Sequence, residues 1–560
     1  MTFAGFYKEL LRRYPLARGG IWVFFVLIAF FCFFLWDKNV KRLPVIESVN
    51  PPVGLPGDVI VIKGKDFGET RDSSYVEIAG SRITSSGYIS WSDTKISIVL
   101  PSNVQDGLVI VGTSHGQSNP SFFANSLGIP QKVRNNPETT LPTISSISPT
   151  NARVGQTISI FGSNFGNARG TSAVYFTMNK KNADGNFEQE PAHEADFDYE
   201  VWSDTEIQVR VPDGAKDGDI FVFTSKGKSK PVHLQMTFPA GKKTFGQTKT
   251  YIVELAADIQ SRTLQDDSEV SLYVPRPALS ASQSKVELQS VFPEPVIADD
   301  ARFILHRASL ENSVDSKSRF SQKYLIQVNS ILSEIQGKNV RAYSDKTRLL
   351  YSVYTSPDSI VLSDNEIVTS LAGQIVGKEK NPYNQAKLLY NYIIDNYTLK
   401  QDVRIGNPSI LDLPATLFGD AYDFALFYAS LCRAIGIPAL PISGVIAQTG
   451  SSCQTHWWTE IYFENYGWFP VDIALASGLD CGVNLLPSEE TDVRDFYFGN
   501  LDDKHITISR GWREIKPSLA ENKTVYIPRS YSLQSIWEEA DSSAVHYTSL
   551  WNNPVILGVY

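Results

Sequence analysis

Residues 20–36, GIWVFFVLIAFFCFFLW, form an apolar run without a charge. As a helix it spans roughly 26 Å, near the lower limit for crossing a bilayer. Beyond it the apolar period shortens to two. Short alternating runs broken by Gly, Pro and Asp fill residues 43–124 and 141–236, and longer ones such as TYIVELAADI, VELQSVFPEPVI and QKYLIQVNSI fill residues 249–328. This patterning predicts successive antiparallel β-sandwiches. Around residues 364–395 the period changes to three and four, with Ala386, Leu389, Tyr390, Ile393 and Ile394 on one side and Pro382 near a helix start. A further helix follows Gly419 and Asp420, carries Phe424, Phe427, Leu431 and Ile435 on its apolar face, and stops at Gly436. Then HWWTEIYF, the turn ENYG and WFPVDIA read as a hairpin. Alternation puts His456, Trp458 and Glu460 on one face, and the return strand brings Asp472 back toward His456.

The fold class expected is therefore multidomain, mainly β with one α+β region behind a transmembrane helix. The segments are a cytoplasmic N-terminus at 1–19, the span at 20–36, sandwiches at 43–124, 141–236 and 246–360, the α+β region at 364–511, and a β extension at 512–560 that is expected to pack back on the α+β core.

The first two sandwiches are an internal repeat. LPVIESVNPPVGLPGDVIVIKGKDFG matches LPTISSISPTNARVGQTISIFGSNFG, and WSDTKISIVLPSNVQDGLVIV matches WSDTEIQVRVPDGAKDGDIFV. The shared opening, the G-x-x-I-x-I-x-G-x-x-F-G hairpin and the W-S-D-T close resemble the IPT/TIG immunoglobulin-like fold. Gly68 and Gly166 are read as hairpin turns, where φ > 0 is needed, rather than as ligand loops. An insertion in the second copy holds Glu188, Glu190, His193, Glu194, Asp196 and Asp198. It has no regular metal-ligand spacing, so it is expected to be a solvated acidic loop. No metal and no cofactor is expected anywhere in the chain.

Charge then places the chain. Lys8, Arg12, Arg13 and Arg18 precede the apolar run, and no small-x-small cleavage site follows it. An uncleaved signal anchor is expected, with its N-terminus in the cytoplasm and the bulk outside, facing the periplasm from a bacterial inner membrane. A formal net charge of −9 without basic blocks argues against nucleic acid as a partner. The expected partners are the membrane and a protein, peptide or cell-wall glycan. Cys453 and Cys481 flank the His456 hairpin and could pair in an oxidising compartment, while Cys432 is expected to be buried.

Residues 417–472 carry the candidate chemistry. LFGDAYDFALFYASLCRAIGIPA, HWWTE and GWFPVD resemble the core of the transglutaminase-like superfamily, whose papain-like members read G-D-C-x-D-x-A, H-x-W-x-E and G-W-x-P-V-D. The resemblance implies a papain-type α+β fold and a Cys-His-Asp triad, with a thiolate at a helix start, His456 as base and acid, and Asp472 orienting it. The nucleophile's position holds Ala421. Cys432 lies about 16 Å along the same helix, Cys453 lies on the wrong element, and Tyr422 and Asp423 are poor substitutes. The sequence thus predicts a remnant pair, His456 and Asp472, in a pseudoenzyme that binds or scaffolds. The alternatives are an active hydrolase or amidase with a non-standard nucleophile, and an adhesin working through its sandwiches.

Overall fold

In the first repeat the W-S-D-T and F-G segments lie far apart in sequence and meet in space. Trp91 Nε1 donates to the carbonyls of Phe67 (3.2 Å) and Gly68 (3.1 Å), and the Phe67 amide donates to Asp93 O at 3.0 Å. In the second repeat Trp202 Nε1 donates to Phe165 O at 3.2 Å. Gly68 and Gly166 take φ of +90° and +89°, a left-handed region that favours glycine. The turn therefore has a structural task, to accept an indole N–H, which is why the two motifs occur together in each copy.

The computed structural model describes residues 42–560 apart from 55, 102, 103, 106, 126–140, 183, 262–268, 310–316, 406, 407, 516–522, 526–528 and 541–546. The apolar run at 20–36, with the anchor expected there, lies outside the described residues. Among the described residues no helix is long and apolar enough to cross a membrane.

Each repeat is a sandwich with the same strand order. The first stacks a sheet ordered Val45–Asn50, Val59–Lys65, Lys95–Val99, Tyr88–Ser92 on one containing Ser121–Asn125, Gly107–Thr113 and Tyr75–Ile78. The second repeats this with Thr143–Ser148, Thr157–Ser163, Glu206–Arg210, Tyr199–Trp202 on a sheet containing Val232–Met236, Gly218–Thr224 and Ala173–Lys181. Inward positions are β-branched and fully buried: Ile60, Ile62, Ile96 and Ile98 in one copy, Ile158, Ile160, Ile207 and Val209 in the other.

The acidic insertion of the second copy departs from the expectation of a solvated loop. Phe187–Pro191 is a strand paired with Ala173–Lys181. The buried ammonium of Lys180 sits 2.9 Å from Glu188 and 3.1 Å from Glu190, and Asp196 pairs with Arg510 at 2.6 Å. The acids are arranged around cations because the insertion is packed against its neighbours.

A third sandwich follows. Its spine is the long hairpin Gly241–Ser261 with Lys317–Ile335, flanked by Lys285–Phe292 and by the tail strands Tyr547–Trp551 and Val555–Val559. The facing sheet runs Phe303–Ser309, Glu269–Pro275, Glu538–Ala540, Lys523–Val525. The tail thus completes both sheets of this sandwich. Trp537 is the reason: fully buried, it meets Trp551 at 4.5 Å and Tyr531 at 4.9 Å in a cluster that also takes Val445, Ile506 and Ile508 from the α+β region. The outer face of the α+β sheet thus belongs to the sandwich's apolar cluster, while the core helices pack in a cluster of their own.

In the α+β region Asn365 and Asn381 cap helices Glu366–Val376 and Pro382–Asn396 through their side chains, and Pro382 begins the second where its missing N–H costs nothing. Helix Ala421–Ala434 packs on an antiparallel sheet ordered Gly467–Val471, Cys453–Phe463, Ala439–Ala447, His505–Arg510. Thr459 Oγ1 donates to Ala425 O at 2.9 Å, and Tyr422 meets Trp457 edge-on at 5.6 Å.

Cys453 and Cys481 do not pair: both are free thiols, and Cys453 Sγ donates to Pro554 O at 2.7 Å. Burial pushes each thiol up to about 12. Cys432 is fully buried, and burial raises its thiol further.

Candidate functional site

The site is built at the start of helix Ala421–Ala434. Asp420 is the N-cap. Its carboxylate accepts the Asp423 N–H at 3.0 Å, and Asp423 returns the favour to the Asp420 N–H at 3.0 Å, so two orphan donors are satisfied reciprocally. Ala421 is the first helical residue, where the helix dipole and free N–H groups would favour a thiolate. Its methyl group offers no electron pair.

Arg529, from the tail, lies over this helix start. Nη1 donates to both Asp420 oxygens at 2.6 and 2.7 Å, and Nη2 donates to Asp423 at 2.7 Å and Pro408 O at 3.0 Å. The guanidinium also stacks 4.4 Å above the Tyr422 ring. Arg404 adds a second cation, its Nε 2.6 Å from Asp423. Burial pushes the Asp423 carboxyl up, but the two guanidinium groups outweigh it and hold it below its ordinary range. Arg529 has φ of +52°, uncommon for a residue with a Cβ, and the contacts around it over-determine that conformation.

His456 and Asp472 do come together. Thr459 pairs with Val471, so the register puts Trp458 opposite Asp472, and His456, two residues before Trp458, shares their face. His456 Nε2 lies 2.5 Å from Asp472 Oδ2, and both side chains are wholly buried. His456 Nδ1 is buried without a partner. Asp472 is also the N-cap of helix Ile473–Ala476, where its Oδ1 accepts the Leu475 N–H at 2.9 Å.

A second histidine shares Asp472, one that the sequence reading missed. His505 Nε2 lies 3.2 Å from the same Oδ2, and its Nδ1 faces Asp502 at 3.0 Å. Burial pulls the His505 pKa down, but Asp502 and Asp472 overcome it and lift the imidazole to about 9. Asp472 is likewise pushed up by burial, yet the histidines hold it well below the carboxylate range. The signal available was the spacing D-x-x-H at 502–505, within the stretch GNLDDKHITISR. The tail arginine at 529 has no comparable signal.

One ligand atom each from His456, Asp472 and His505 falls within 4.8 Å of the others, a spread compatible with a metal ion. The donor set fits poorly. A protonated His505 has no lone pair to give, and the shared Oδ2 is already engaged by both imidazoles. The arrangement holds protons: an acid–base chain Asp502, His505, Asp472, His456, whose last nitrogen, His456 Nδ1, has no hydrogen-bond partner among the described residues.

Comparison with known proteins agrees with the motifs. Residues 369–473 match the Transglutaminase-like superfamily model, and residues 44–125 and 142–238 match the IPT/TIG domain model. The chain carries a transglutaminase-like core domain and two IPT/TIG domains. Among curated relatives, a cyclomaltodextrin glucanotransferase of Paenibacillus macerans is 36% identical over 115 residues, 20% of this chain and 14% of that enzyme. The chain therefore spans only a small part of that relative's length. Among solved structures, a candidate cysteine protease from Cytophaga hutchinsonii is 16% identical with a TM-score of 0.35, covering 57% of this chain and 91% of that one. The periplasmic domain of TgpA from Pseudomonas aeruginosa is 14% identical with a TM-score of 0.24, covering 42% and 88%.

Proposed function

We propose that this is a membrane-tethered, extracytoplasmic protein whose transglutaminase-like domain has given up covalent catalysis and serves as a scaffold. The observation that carries the reading is Ala421 at the first position of the helix, beneath the buried guanidinium of Arg529. Removing a triad nucleophile costs many orders of magnitude in rate. The zero exposure of His456 and Asp472 adds that no substrate reaches the surviving pair in this conformation. The tether rests on the apolar run at 20–36 and its basic flank. Peptide or glycan binding at the old cleft finds no support in this burial, so the head is read as scaffold and its ligand is sought elsewhere.

The test is to put the sulfur back. Ala421→Cys alone should remain silent toward glutamine-bearing peptides, because Arg529 still covers the helix start. Adding Arg529→Gln, with folding checked by the melting curve, should speed iodoacetamide alkylation of the new thiol by roughly tenfold or more, since thiolate character and exposure set that rate. Measurable peptide turnover by the wild-type protein would overturn the reading.

A further inference from the structure

A cavity of about 210 Å³ opens between the second IPT/TIG domain and the transglutaminase-like core, lined by none of the residues of the His456–Asp472 site. From the IPT/TIG side come Arg153 and Arg210, and from the core come Arg348, Tyr343, Tyr351 and Tyr462. The domains approach closely because Gly155 has no side chain: a Cβ there would lie 2.3 Å from the Tyr462 hydroxyl.

Two of the three arginines, Arg348 and Arg153, have no ion pair among the described residues. Arg348 Nη1 donates to the Tyr462 hydroxyl at 3.0 Å, and its Nε is buried without a hydrogen-bond partner among the described residues. Among the described residues the Arg153 side chain meets only the Gln156 side chain, at 3.4 Å. Arg210 is held by Glu200 and by Gly155 O at 3.1 Å. Burial, and next the nearby charge of Arg348, push the Arg210 pKa down, a sign of like charges crowded together.

Two carboxylates of the lining, Glu464 and Asp345, keep their charge but are held by local donors. Glu464 accepts from both the Ser344 N–H and hydroxyl, and Asp345 accepts from both groups of Thr347. Asp198 is buried, and burial together with Asp196 lifts it to about 8, so at neutral pH it is mostly protonated and offers the arginines little charge.

We infer that this cavity binds a small carboxylate carried on a single ring, its carboxylate seated on Arg348 and Arg153 and its ring against the tyrosines. A guanidinium meets a carboxylate in a planar, two-bonded fork, and tyrosine faces accept a ring at low entropic cost. The volume admits one ring and falls short of the several hundred Å³ that drug-sized ligands fill. The inference is independent of whether the core turns over substrate.

Calorimetric titration of the full-length protein tests it, with glucuronate and benzoate as the acids and glucose and benzamide as their uncharged counterparts. Saturable binding of at least one acid is expected, without binding of its counterpart, and the acid that binds tells a sugar source from an aromatic one. Arg348→Gln should weaken that binding by about tenfold or more, equivalent to about 1.4 kcal/mol. Arg153→Gln, at an exposed position, should weaken it several-fold. Failure of both acids to bind, equal binding of the neutral compounds, or affinity unchanged in both variants would overturn the inference.

Discussion

Asp472 Oδ2 is approached by two imidazoles, and this decides what a residue-level experiment should see. Folding raises His505 from 6.5 to about 9 because the charged ring is held by Asp502 and Asp472 despite its burial. The protonated form is therefore favoured by the folded state. Its contribution, up to about 3 kcal/mol, is complete below about pH 6.5 and is lost as pH rises through about 9. Urea unfolding from pH 6 to pH 10 should show this decline in the wild type and a flatter profile in His505→Gln. Parallel profiles would mean that His505 is not charged in the fold. His456 and Asp472 were legible in the sequence because they lie on neighbouring strands of one hairpin, where a period of two and a short turn bring them together. His505 reaches the site from a strand beyond Ala439–Ala447, passing over Gly444, whose missing Cβ would lie 2.0 Å from Ile506 O. No local period encodes that approach.

At the scale of elements, the strand pattern of the repeats and the helix start at Pro382 could be read directly, since each rests on neighbours in sequence. The insertion in the second repeat could not. Its acids look solvated in a sequence and become structural once Lys180 and Arg510 are placed beside them. Asp198 is the informative member. Burial first, then Asp196, lifts its carboxyl to about 8, while the His193 N–H donates to it at 3.0 Å. The folded chain therefore keeps a proton that the unfolded chain releases, and this carboxyl subtracts stability as pH rises from about 4 to about 8. Asp198→Asn retains an acceptor for His193 and removes the titration. It should melt higher than the wild type at pH 8.5 and nearly with it at pH 4.5, as scanning calorimetry would show. A variant that melts lower at both pH values would contradict the raised carboxyl.

On the scale of the whole molecule, the second IPT/TIG domain is joined to the core by buried charge. Arg510 donates to Asp196 at 2.6 Å and to Glu460 at 2.8 Å, and stacks 4.7 Å from the Trp468 ring. Lys243 binds Asp213 at 2.6 and 2.8 Å and also donates to the Trp468 carbonyl. The repeats themselves were plain in the sequence. That one of them docks through a buried arginine was not, because Asp196 and Arg510 are far apart in the chain and look like ordinary surface charges. Arg510→Met would leave two carboxylates buried without their cation, and should cost about 3–5 kcal/mol in urea unfolding. A loss below 1 kcal/mol, the scale of an exposed pair, would mean that the junction is solvated.

A head fixed in this way, with its helix start closed by Arg529, is what the scaffold proposal requires. The most direct measurement is ammonia release from glutamine-bearing peptides by the wild-type protein beside His456→Ala, followed to long times. Both proteins should release no more than the buffer alone. Release by the wild type that disappears in His456→Ala would show a working catalytic site and contradict the scaffold reading.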